Sequence, residues 1–358
     1  MKMSANKQKG GNGMELDMRK MRILQAIIDD YILTAAPVGS RTVSKNPDIS
    51  LSSATIRNVM SDLEDMGYLE QPHTSAGRIP SEKAYRLYVN NIMQRAMLTP
   101  GEQRFIQDCY SNTINKVDDI VRQTAWVLSN MTQYTSLVLA PQMNAARLRH
   151  IQLVPVTEGR ALMVIVTDAG ITRDYIIDVP KDITYEQLER ISRILTGHLK
   201  NKRLDKVNVE DIPELFSEME AHRQFLDGAL SLMSSSAGSG TKLELSGTTN
   251  MLNYPEYSDM EKARSFLSVI ESKDMLTQLR TEATKVEFSI TIGNENASEE
   301  LKDCSIVTAT YKVGGNPLGS LGVIGPTRMN YSRVLAVLKH LGGSLGNILT
   351  NMFEEERQ

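Results

Sequence analysis

Residues 52–81, SSATIRNVMSDLEDMGYLEQPHTSAGRIPS, decide the fold of this chain. Ile56, Val59, Met60, Leu63 and Met66 recur at helical spacing and mark one face; Thr55, Arg57, Asn58, Ser61 and Asp62 mark the other. Ser52 or Ser53 is a good N-cap for this helix, and Gly67 stands where a left-handed residue closes one. Tyr68 and Leu69 begin a short strand, and Pro72 favours a sheet edge. HTSAGRIPS, residues 73–81, then has no core to offer. A polar, glycine-tipped hairpin between two amphipathic helices is suited to lie against something other than protein.

Upstream, ELDMRKMRILQAIIDDYILT (15–34) has the apolar spacing of another helix, ended by Pro37 and Gly39. Ser40 is placed to cap a short helix from Arg41 to about Lys45, and Asn46-Pro47-Asp48 is turn chemistry. Downstream, residues 81–97 read as a helix carrying Tyr85, Leu87, Tyr88, Ile92 and Met93. Three helices, a strand and a glycine-tipped hairpin are the order of a winged helix-turn-helix, with residues 73–81 as the wing.

In that architecture the third helix enters the major groove of B-DNA, its first turns facing base edges. Ser52, Ser53 and Thr55 can reach phosphates or bases, Arg57 suits guanine and Asn58 adenine, while Arg41 and Thr42 suit phosphates. The acidic Asp62, Glu64 and Asp65 confine the approach to the first two turns. In the hairpin, His73, Thr74 and Ser75 are small donors, Gly77 allows close backbone approach or positive φ, and Arg78 can enter a minor groove or clamp a phosphate. The same residues also fit a solvated helix face and an exposed loop, and such hairpins occur in protein-binding modules too.

Charge agrees in sign with a polyanionic partner. Residues 1–95 hold 13 Lys and Arg against 10 Asp and Glu, whereas the remainder holds 27 against 33. The 358 residues suffice for roughly two to three domains. Cys109 and Cys304 make no disulfide framework and are expected as reduced, buried thiols. Residues 1–14 are Lys-, Gly- and Asn-rich, lack a signal-peptide core and are expected as a disordered lead-in. Apolar runs such as ALMVIV (161–166) are too short to span a bilayer, so the chain is expected in the cytoplasm without a membrane partner.

Beyond Pro100-Gly101 the pattern alternates. A helical stretch at 102–133 precedes period-two strands at 134–180, and strands return at 285–325 before a closing helix. One sheet built from both strand blocks, with the helical middle inserted, fits this order; the fold class is α+β. A Ser/Gly segment at 234–240 is expected to be flexible. GSLGVIGPTRM (319–329) has glycines but no Gly-Lys-Ser/Thr, so it is no phosphate loop; Arg328 is expected to cap or pair locally. His150, His198, His222 and His340 are scattered without metal spacing. No residue cluster suggests an enzyme, a metal or a cofactor.

APVGSRTVS (36–44), residues 52–89, IGNEN (292–296), CSIVTATY (304–311) and GVIGPTRMNY (322–331) together closely resemble the HrcA family of heat-inducible transcription repressors. Ser81 departs from the Thr expected there. The resemblance implies a homodimer of three modules: a winged helix-turn-helix, a GAF-like antiparallel-sheet domain and a dimerisation domain inserted within it. Drawn on this sequence, these are residues 15–97, residues 101–185 with 285–352, and residues 186–284. The resemblance further implies repression of chaperone operons through double-stranded DNA carrying an inverted repeat, the CIRCE element. It also implies that the GroE chaperonin keeps the repressor active. A ligand-sensing regulator acting through the GAF-like domain is the alternative.

Overall fold

The computed structural model describes residues 16–73, 76–94, 96–111, 117–141, 147–168, 172–204, 207, 223–239, 243–270, 287–296 and 298–355. The expected lead-in at 1–14 lies outside them. The chain divides into two compact units, the first running to Gln94 and taking in Ile292–Asn294 and Thr327–Asn330, the second holding the rest. Helices and antiparallel sheets mix along the chain, an α+β architecture.

In the first unit, α1 (Met18–Thr34) starts at Asp17, whose carboxylate accepts from the Lys20 N–H at 2.7 Å. Ile23, Leu24, Ile27 and Ile28 form its buried face. At its other end Arg328 donates to the Ile32 carbonyl at 2.9 Å, a cation where the helix dipole favours one. α2 is shorter than expected, Ser40–Val43, with Gly39 as its N-cap and Ser40 already helical and buried. α3 (Ser53–Asp65) buries Ile56, Val59, Met60 and Leu63. Its end is a Schellman motif: the Tyr68 N–H reaches Leu63 O and the Gly67 N–H reaches Glu64 O, both at 2.8 Å, with Gly67 at φ +75°.

A two-residue hairpin follows, β1 (Leu69–Glu70) against β2 (Ile79–Pro80). α4 (Glu82–Leu87) is capped by Ser81, whose hydroxyl also donates to Gly67 O at 2.7 Å. Serine thus fills the cap role expected of threonine. The helix does not reach residue 97: it loosens into a π-helical turn at Tyr88–Ile92, and Met93 is extended. Val89, Asn90 and Asn91 are weak helix formers, which suits that ending.

The second unit opens with α5 (Pro100–Ser111) and α6 (Val117–Thr132). Strands β3 (Thr135–Leu139), β4 (Leu148–Thr157), β5 (Arg160–Thr167) and β6 (Thr172–Asp178) precede α7 (Tyr185–Leu199). α8 (Arg223–Ser239), β7 (Leu243–Ser246), α9 (Met260–Ile270), β8 (Phe288–Ile292), β9 (Cys304–Val313), β10 (Asn316–Pro326) and α10 (Tyr331–Glu355) complete it. The Ser/Gly segment expected to be flexible is the end of α8 up to Ser239.

The two strand blocks share one sheet only in part: β3 of the first block joins β8, β9 and β10 of the second, while the rest of the first block stands apart. Five strands pair in the order β7-β3-β10-β9-β8, and β4-β5-β6 form a separate antiparallel sheet. β3 has β10 on one edge and β7 on the other, so no edge is left for β4. The chain leaves the five-stranded sheet after β3 and returns at β7. The three-stranded sheet lies between those two strands in the chain. α6 and α10 cover one face of the larger sheet. Leu137, Ile306 and Ile324 on the other face pack with Met251, Tyr257, Phe266 and Ile270. Cys304 is buried in that cluster beside the Tyr257 hydroxyl, 2.9 Å away, while Cys109 is only partly covered.

α7 packs on the smaller sheet, burying Leu188, Ile191, Leu195 and Leu199. It also seals the outer edge of β4. The Ile151 N–H donates to Thr196 Oγ1 at 3.1 Å and the Leu153 N–H to Ser192 Oγ at 2.8 Å.

The N–H and hydroxyl of Thr99 bond Glu102 at the start of α5, and the Arg333 guanidinium pairs with the same carboxylate from α10. Arg333 first, then Thr99, holds the Glu102 carboxyl down at about 2. A carboxylate depressed on folding stabilises fully above its unfolded value of about 4.5, and that contribution fades as pH falls through about 2. Glu102→Gln should therefore flatten the acid transition between those limits. Fluorescence of Trp126, the single tryptophan, follows it; identical acid curves for both proteins would refute the coupling.

Candidate nucleic-acid interface

The first unit brings Arg41, Arg57, Gly77 and Arg78 of the expected site residues to one cleft. Arg41 and Thr42 are exposed on α2, and Arg57 and Asn58 are exposed on α3. Their helical neighbours Ile56, Val59 and Met60 are buried, so the polar face is presented by the core beneath it. A cleft of about 430 Å³ lies between the two helices and the hairpin. Arg41, Arg57, Met60, Gln71, Gly77 and Arg78 line it, together with Val38, Gly39, Ser40 and Ala76. Arg41 and Arg57 on one open cleft form a surface for an anionic or acceptor-rich partner.

The three hydroxyls at the start of α3 already have protein partners. Ser52 caps the helix, accepting from the Thr55 N–H at 3.2 Å with the two hydroxyls 2.9 Å apart. Ser53 donates to Ser44 Oγ at 3.0 Å, and Ser44 donates to Arg41 O. Their first task is to shape the α2–α3 corner. The exposed side chains with reach are Arg41, Arg57 and Asn58.

The hairpin is fixed to the turn before α2. Val38 and Arg78 exchange N–H···O bonds in both directions at 2.9 Å. Within the hairpin the Ala76 N–H bonds His73 O at 2.8 Å, and Gln71 Nε2 donates to Ala76 O at 3.3 Å. His73 is exposed; Thr74 and Ser75 lie outside the described residues. Gly77 is needed for close approach and not for a positive φ. A Cβ there would fall 2.4 Å from Val38 O and 2.5 Å from its carbonyl carbon, both backbone atoms. Gly77→Ala should part the hairpin from that turn and cost about 1–3 kcal/mol, the range for overpacking a tight site. Urea denaturation and amide exchange at Val38 and Arg78 check this; unchanged values in both would refute it.

Sequence reasoning missed the groups that balance the acidic end of α3. Lys20 of α1 pairs with Asp62 at 3.0 Å, and Arg78 pairs with Glu64 at 2.8 Å. Lys83 donates to Met66 O at 2.8 Å while lying 4.4 Å from the Tyr68 ring centroid. These partners come from 14 to 42 positions away in the chain, where no helical period points. Among the described residues, no group of three or more His, Cys, Asp or Glu could hold a metal ion, and no helix is long and apolar enough to cross a membrane.

Comparison with known proteins decides the family. A model of the HrcA protein C-terminal domain matches residues 118–335. The heat-inducible transcription repressor HrcA of Pelotomaculum thermopropionicum is 42% identical over 94% of this chain and 97% of its own. This chain belongs to the HrcA family. The HrcA repressor of Ruminiclostridium cellulolyticum is also 42% identical, over 95% of this chain and 99% of its own. A crystal structure of a hypothetical protein is similar with a TM-score of 0.63 at 25% identity, covering 94% of this chain and all of that one. HrcA relatives thus match both the α1–β2 region and the sheets, across nearly the whole length.

Proposed function

We propose that this chain is a heat-inducible transcription repressor that binds an inverted-repeat operator of the CIRCE type as a homodimer. Its first unit is a winged helix-turn-helix, with α3 as the reading helix and the β1–β2 hairpin as the wing. The observation that carries this is Arg57 of α3, exposed next to Asn58 and lining one cleft with Arg41 and the hairpin. Arg57 matches the N7 and O6 acceptors of guanine and Asn58 the adenine edge; Arg41 and Thr42 fit backbone phosphates. His73, with Thr74 and Ser75, would meet the flanking backbone.

The five-stranded sheet is the GAF-like domain, and the excursion between β3 and β7 is the inserted dimerisation domain. The register of the smaller sheet supports that role. Val154, Leu162 and Ile176 share its outer face, as do Val164 and Val166 two and four residues further along β5. Val154 and Ile176 remain 40% and 65% exposed. A two-fold dimer would present two copies of α3 to successive major grooves. The GroE chaperonin would maintain the active form and, when occupied by heat-unfolded protein, release the operons.

Footprinting of the promoter of its own operon, with and without chaperonin, tests the proposal. A two-fold-symmetric protected site that strengthens with chaperonin is expected. No protection by purified protein at low salt would overturn it.

A further inference from the structure

We propose that Arg78 is a positioning residue whose partner is Glu64, and that this pair sets the distance between hairpin and reading helix. The inference rests on the DNA-binding function proposed above and assigns Arg78 a task other than groove or phosphate contact. Its Nε and Nη2 both bond Glu64 Oε2 at 2.8 Å. The two side chains are 21% and 31% exposed, enough cover to hold one geometry. Glu64 lies seven residues, or two helical turns, beyond Arg57 on the same side of α3. The guanidinium therefore docks on the face that carries the base-reading side chain, at its far end. The Val38 bridge fixes the backbone of the same residue, so one position ties the hairpin to α3 and to the turn before α2.

The charge balance separates this role from direct contact. A guanidinium held by a carboxylate adds little to the counterions released on binding, whereas a phosphate-contacting arginine adds about one to the salt slope. The two roles also give opposite signs for Glu64→Gln. If Arg78 gripped phosphate, removing the carboxylate would free it, lessen repulsion and strengthen operator binding. If Arg78 positions the hairpin, the same change weakens binding.

The experiment is operator affinity of the full-length chain across a salt series, for wild type, Glu64→Gln, Arg78→Lys, Arg78→Glu and the charge swap Glu64→Arg/Arg78→Glu, with Arg57→Ala as control. Glu64→Gln is expected to weaken binding about 3–10-fold with an unchanged salt slope. Arg78→Glu should lose at least about tenfold, and the swap should recover most of that loss. Arg78→Lys keeps the charge and tests geometry without risking the fold; it should behave like Glu64→Gln. Stronger or unchanged binding by Glu64→Gln, a slope reduced by about two on losing Arg78 (about one per subunit), or a swap no better than Arg78→Glu would each overturn the proposal. If the wild type binds no operator, the DNA-binding function itself fails. If wild type binds and Arg57→Ala weakens it while the pair variants behave as wild type, only the positioning role fails.

Discussion

Raising the salt from about 50 to about 200 mM should weaken operator binding about 10³–10⁵-fold, if each dimer neutralises about 6–10 phosphates. The effect should be steep because attraction in this chain is local. The whole carries a formal net charge of −3, and the cationic excess sits within the first 95 residues. Lys20 and Arg78 are balanced by Asp62 and Glu64. Arg41 and Arg57 are exposed beside the cleft and are among the exposed cations of this unit, with Arg19, Arg22 and Lys45, that can displace counterions. Gel-shift titrations at several salt concentrations give the slope of log K against log salt. A slope shallower than about −2 would be too small for a dimer spanning two half-sites.

Arg57→Ala should be the most damaging exposed substitution. Losing a bidentate base contact costs about 1–3 kcal/mol per half-site. For a homodimer on an inverted repeat that is about 2–6 kcal/mol, or about 30-fold to 10⁴-fold in affinity at 1.4 kcal/mol per decade. The fold should not suffer: Arg57 is exposed, alanine is the best helix former, and the buried side chains of α3 are untouched. Sedimentation and thermal melting should match wild type while gel shifts show the loss. Operator affinity within threefold of wild type would remove α3 from the reading role.

Much of the first unit was legible because its signals are local. The apolar period of α3, its Ser52 cap and Gly67 stop all lie within sixteen residues, and the structure uses each. Ser81 could likewise be read as a cap. Gly77 left two options, and only the Val38 backbone beside it decides for close approach. Arg78 reads from the sequence as a nucleic-acid contact, because an arginine in a polar loop shows no partner in its own neighbourhood; its ion pair with Glu64 spans fourteen positions. The sheet was misjudged for a similar reason. Period two identifies strands but not neighbours: LELS reads as a strand, but nothing in its pattern says that it takes the edge of β3 that a single large sheet would need.

The sealed edge of β4 limits how two copies of the three-stranded sheet can meet. With the Ile151 and Leu153 amides held by Thr196 and Ser192, another backbone has no open ladder there to extend. A second strand therefore cannot add to the sheet along that margin, which leaves its faces as the open surfaces.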